Sequence, residues 1–202
     1  VVPWRIGMAE KTRLQFETEA LARHIELQRW YASKGTAIKR ARVADQALWA
    51  EGGHEWLVQI LELEGPPNSP AYFLPLALAW EEREEERVRA LSAAAVVKVR
   101  QQANVGVMGD AFADEAFCRA LVQAIGAGKE IATAHGRLRF RPTAAFSSLA
   151  GEGIAQLPVS RQQAQSSNTL VTLGERLLLK GYRRLQRGVN PEFEIGRFLT
   201  EV

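Results

Sequence analysis

Between Thr12 and about Tyr31 the apolar positions Leu14, Leu21 and Ile25, with Phe16 beside them, recur at helical spacing among Glu, Arg and Gln. This predicts an amphipathic first helix, closed by Ser33-Lys34-Gly35. Three β-like stretches follow, over 37–49, 55–63 and 71–80, separated by Gly52-Gly53 and by a loop running from Gly65 to Pro70. Glycine and proline at those points favour turns, so the reading is a meander of antiparallel strands. A helix on such a sheet makes a small α+β unit, because each element has one apolar face to hide.

At Glu81 the pattern changes. A run of acidic residues and arginines over 81–87 suits a helix N-terminus, and the Ala/Val-rich segment to about Val99 is read as its continuation. A further helix is predicted over 114–125, with Phe117, Leu121, Ala124 and Ile125 on one stripe, flanked by short strands near 105–108 and 136–140. The Gly/Ser/Ala-rich passage 147–153 reads as a linker. Two β-rich runs, 169–173 and 176–182, surround Gly174-Glu175 as a hairpin would. Asn190-Pro191-Glu192 then supplies a capping residue, a first-turn proline and a first-turn acid. Ile195, Phe198, Leu199 and Val202 continue at i, i+3, i+4 and i+7, so the expectation is a helix still running at the last residue, as in a fragment.

Composition narrows the class. With 47% hydrophobic and 24% charged residues in 202, the chain can bury one large or two small cores. The single cysteine, Cys118, lies in an amphipathic helix and reads as a buried structural thiol, which fits a reducing, cytoplasmic setting. Twenty-six basic against 23 acidic residues leave +3, too little for a nucleic-acid binder. No apolar run reaches the ~20 residues of a membrane-spanning helix, and no signal-peptide pattern opens the sequence. His24, His54 and His135 are isolated, without metal-ligand spacing. Trp30, Trp49, Trp56 and Trp80 are read as packing residues, and the run from Tyr182 to Arg187 as a solvated strand end.

The order hairpin, lysine late in the second strand, then helix with an early glutamate matches the needs of a kinase N-lobe. A loop offers backbone N–H donors to phosphates, the lysine neutralises phosphate oxygens, and the helix carboxylate holds the lysine. Here the loop is Gln165-Ser166-Ser167-Asn168-Thr169, the lysine Lys180 and the carboxylate Glu194, while a solvated pair is the other reading of the same residues. Alternation places Lys180 on the same strand face as Leu178 and Tyr182.

The run QSSNTLVTLGERLLLKGYRRLQRGVNPEFEIGRFLTE resembles the corresponding segment of bacterial maltokinases, including those fused behind a trehalose synthase domain. LQRWYASKG, YFLPLALAW, GVMGDAFADEAFCRALVQAI and HGRLRFRPTAAF extend the resemblance over nearly the whole chain. It implies an α+β fold with a helix-on-antiparallel-sheet cap over 1–100 and a kinase-like N-lobe, similar to aminoglycoside phosphotransferases, over 101–202. The helical C-lobe is then absent from this chain. The resemblance also implies nucleotide-holding roles for Ser167, Asn168, Thr169 and Lys180, with Glu194 as the lysine's partner and Glu192 as the alternative. The implied activity is transfer of the γ-phosphoryl of ATP to maltose, giving maltose 1-phosphate. Mg²⁺ and the catalytic base would be held by residues outside these 202, leaving the chain alone inactive. A rival reading makes the cap an interaction module that docks trehalose synthase or another glucan enzyme.

Overall fold

The computed structural model describes residues 10–151, 153–162 and 167–201. The chain is a mixed α+β protein built on antiparallel sheets. Gln165, Ser166 and Val202 lie outside the described residues.

The first helix runs through 10–27, but its middle, Phe16–Leu21, is π-helical. An extra residue in a turn shifts the helical phase. Leu14 is thereby thrown to solvent, whereas Phe16, Leu21 and Ile25 are buried. The same shift turns Glu17 inward onto the sheet. The helix stops at Leu27, four residues earlier than its apolar pattern predicts, because Gln28 adopts extended backbone. Trp30 and Tyr31 can then pack on the Tyr72 ring, at centroid distances of 5.6 and 6.4 Å.

Strands β1 (Arg40–Glu51), β2 (His54–Glu64), β3 (Ala71–Trp80), β4 (Ala95–Gln101) and β5 (Asn104–Asp110) form one sheet in the order β1-β2-β3-β5-β4. The β1–β2 turn needs left-handed backbone, and Gly52 and Gly53 supply it at φ of 54° and 80°. Between Val43 and Asp45 the β1–β2 register shifts, and Glu17 reaches this irregularity. Its carboxylate accepts from Val43 N at 3.2 Å and from Arg40 Nε at 2.7 Å.

The Ala/Val-rich segment departs from expectation. A helix occupies only Glu85–Ser92, and Ala95–Gln101 is strand β4. Val97 and Val99 alternate with Lys98 and Arg100, a two-residue period that outweighs the helix propensity of the preceding alanines. The expected division at 100/101 falls beside the β4–β5 turn, whose flanking strands are hydrogen-bonded neighbours.

Both faces of the sheet are covered, so β3 is buried nearly from end to end. Tyr72, Leu74, Leu76 and Leu78 meet the first helix on one side. Ala77 and Ala79 on the other side share a core with the Glu115–Gly126 helix and with Val171 and Leu173. That helix begins as its pattern predicts, since the Asp114 side chain accepts from Ala116 N at 3.1 Å. Strands β6 (Glu130–Ala132) and β7 (Arg137–Arg139) pair with each other. The predicted linker 147–153 contains most of a short helix, Phe146–Ala150.

A second sheet orders β10 (Leu177–Gly181), β9 (Thr169–Leu173) and β8 (Val159–Gln162). The chain then returns to the first sheet as β11 (Arg184–Leu185), which pairs with the start of β3. Both β5 and β11 lie on the same edge of β3, β5 from Leu76 onward and β11 at Ala71 and Tyr72. Between them sits Pro75, whose missing N–H would have pointed into that interruption, because the N–H of Phe73 on the same side bonds Arg183 O at 2.8 Å. The sequence closes with the helix Pro191–Glu201.

Candidate functional site

The hairpin β9–β10 pairs Lys180 with Leu170 and Gly181 with Thr169, so the lysine stands next to the end of the 167–169 turn. Alternation works as expected. Leu177 and Leu179 pack against the core, while Leu178 is exposed and Lys180 keeps about a third of its side chain in water. The Lys180 amine lies 5.2 Å from the Tyr182 ring centre.

The lysine is also ion-paired with Glu192 in the first turn of the closing helix. The expected partner, Glu194, sits exposed elsewhere on the helix, and Glu192, the alternative, takes its place. The geometry of the N-terminus explains the choice. Asn190 Oδ1 accepts from Glu192 N at 2.9 Å, so the cap fixes Glu192 at the helix entrance. Its carboxylate is held below the usual glutamate range by hydrogen bonds from Lys180 and then Tyr182. Lys180 is raised above its ordinary value, chiefly by the same bond. Burial, with Glu192 second, pushes the Tyr182 hydroxyl up. The result is an exposed cation held in one place by a carboxylate and an aromatic ring, an arrangement suited to meeting an incoming anion.

The three described residues of the expected phosphate loop, Ser167, Asn168 and Thr169, are not equivalent. Ser167 is exposed and Asn168 partly so, but Thr169 is buried, and its hydroxyl accepts from Arg183 Nε at 2.8 Å. The Thr169 side chain is thus committed inward, whereas Ser167 is exposed and Asn168 and Lys180 are half-buried.

Arg183 is the main correction to the sequence reading. Far from a solvated strand end, it is fully buried and ion-paired with buried Asp110. Its guanidinium stacks 4.3 Å from the Phe112 ring centre and 5.7 Å from that of Trp30. It fills the interruption beside Pro75 and bonds Phe73 O at 3.5 Å. A second inward charge is Asp114, which accepts from Trp56 Nε1 at 2.8 Å and from Arg87 Nε at 3.0 Å. No local pattern announces these pairs, since their partners are 73, 58 and 27 residues apart.

The remaining candidates are structural. Cys118 is buried, with burial raising its thiol to about 12, too high for a nucleophile near neutrality. Trp30, Trp49 and Trp56 are core residues. His24 is buried and donates from Nδ1 to Ala95 O at 3.2 Å, and burial lowers its basicity. His54 stacks on Trp56, with ring centres 5.9 Å apart. Among the described residues, no group of three His, Cys, Asp or Glu side chains is placed to hold a metal ion, and no helix is long and apolar enough to cross a membrane.

Residues 24–114 fit the family model of the maltokinase N-terminal cap domain. That span begins within the first helix and takes in all of β1 to β5, ending at Asp114. No curated protein matches the chain.

Proposed function

We propose that the chain, whose residues 24–114 fit the family model of the maltokinase N-terminal cap domain, supplies the cap and one wall of the nucleotide cleft of an ATP-dependent kinase whose acceptor is maltose. The observation that carries this reading is the Lys180–Glu192 pair, which joins the second strand of a hairpin to the first turn of the following helix. A strand lysine held by a helix carboxylate is the arrangement by which protein kinases neutralise and orient nucleotide phosphates. The residues present fit that task. Lys180 remains open to solvent, and the turn at Ser167 and Asn168 lies beside it in the hairpin register.

In this proposal Lys180 binds and neutralises phosphate oxygens, Glu192 orients it, and the 167–168 turn brings further donors to the nucleotide. When bound, ATP would supply the phosphoryl group, and Mg²⁺ would be held by residues outside this chain. A trehalose synthase domain, fused or associated, is the partner we propose for the whole protein.

Mutating the intact protein tests the assignment. Lys180→Ala should lower phosphate transfer from ATP to maltose by orders of magnitude, and Glu192→Gln should weaken nucleotide affinity, whereas Glu194→Gln should do neither. Full turnover in Lys180→Ala would remove the kinase site and leave the cap as a docking module for another glucan enzyme.

A further inference from the structure

The buried cation in this protein lies between the cap sheet and the hairpin that carries Lys180. We propose that Arg183 is a positioning residue by which the cap grips the nucleotide-facing turn, an inference that rests on the nucleotide-site reading above. Three observations carry it. First, the guanidinium spans both units: one end is paired with Asp110, the last residue of β5, and Nε donates to Thr169, the first residue of β9. Ser167 and Asn168 immediately precede that threonine, so the bond anchors the base of the turn.

Second, the cap holds the strand on the far side as well. The Asp110 side chain accepts from Phe112 N at 3.1 Å and so shapes the short turn Ala111–Ala113. The Phe112 ring from that turn lies under the Arg183 guanidinium and presses on Gly181, where a Cβ would stand 2.7 Å from the ring. One cap turn therefore fixes Gly181 by contact and Arg183 by charge, the residues on either side of Tyr182. Tyr182 is in turn the ring beneath the Lys180 amine.

Third, the site is built to receive the arginine. β3 leaves an interruption at Pro75 between β5 and β11, and Arg183 enters it with bonds to Phe73 in both directions. A planar guanidinium with donors along its edge can serve Asp110, Thr169 and Phe73 O at once, which a lysine ammonium on its flexible stem cannot match in fixed directions. Any shift of the Asp110–Phe112 turn must then move the turn at 167–169 and the strand bearing Lys180. The cap becomes a control on nucleotide affinity.

The test uses the intact protein with Thr169→Val, which removes the hydroxyl acceptor at nearly constant volume, and Thr169→Ser, which keeps it. Binding of Mg-ATP is measured by calorimetry and amide hydrogen exchange across β9 by mass spectrometry, with Lys180→Ala as reference. Thr169→Val should weaken Mg-ATP binding about tenfold and speed exchange in β9 while β2 and β3 keep wild-type protection, and Thr169→Ser should restore both. Wild-type affinity and exchange in Thr169→Val, with Lys180→Ala impaired, would overturn the grip. So would loss of protection throughout the cap sheet that Thr169→Ser fails to restore, because the bond would then merely support the fold. Faster β9 exchange together with full binding in Lys180→Ala would uphold the grip and instead refute the nucleotide-site reading.

Discussion

Lys180 and Arg183 stand three positions apart at the end of one hairpin, and each is paired with a carboxylate, yet their surroundings could hardly differ more. The Lys180–Glu192 pair stands largely in water between a strand and a helix close in sequence. Arg183 and Asp110 are sealed from solvent and 73 residues apart. In water, a pair gains little from Coulomb attraction, so the first contributes little to stability. In the interior, each charge has lost its hydration and depends on the other, so the second commits two distant segments to one arrangement. Two cation–carboxylate pairs thus differ in what surrounds them: one is open to solvent, and the other ties remote segments together.

The comparison can be broken most directly at Asp110. Asp110→Ala strands a buried guanidinium and should cost about 3–5 kcal/mol of folding stability, read from the urea midpoint. A small loss would mean that Arg183 reaches water. Next comes Gly181→Ala, which forces a methyl against Phe112 in a ring cluster that already packs Phe73 and Phe117 around it. The cost should be about 1–3 kcal/mol.

His24 sharpens the contrast through pH. Burial lowers its basicity in the fold, so the unfolded chain binds the proton more readily, and stability should fall as pH drops below the ordinary histidine value of 6.5. The slope from one such group is at most about 1.4 kcal/mol per pH unit, and His24→Gln should flatten it in a series of urea titrations from pH 7 to 5. The smallest effect belongs to Lys180→Ala, whose unfolding midpoint should coincide with wild type. A large drop in that midpoint would make the exposed pair structural.

Wherever neighbouring residues suffice to define an element, the sequence is legible. The strand 71–80 is bounded by Pro70 and by the acidic run at Glu81, and it is found at Ala71–Trp80. The Asp114 and Asn190 caps start helices where they should, and the 169–173 strand pairs across Gly174 with its neighbour. The strand over 95–101 was present in the Val-Lys-Val-Arg alternation but masked by the alanines before it, and only pairing with β5 makes it a strand.

The site divides along the same line. That a strand lysine would meet an early helix acid follows from the order of hairpin and helix along the chain, with only β11 between them. Which acid it meets is set by the Asn190 cap, which fixes the first turn of an otherwise exposed helix. The sequence by itself determined the alternation of apolar faces, the turns and the caps, because these are set by a residue and its near neighbours. The tertiary structure alone decided that Glu17 and Arg183 turn inward and that Thr169 faces the core. A charge can be buried only where a partner from a remote segment replaces its lost water, and no local pattern records where that partner will be.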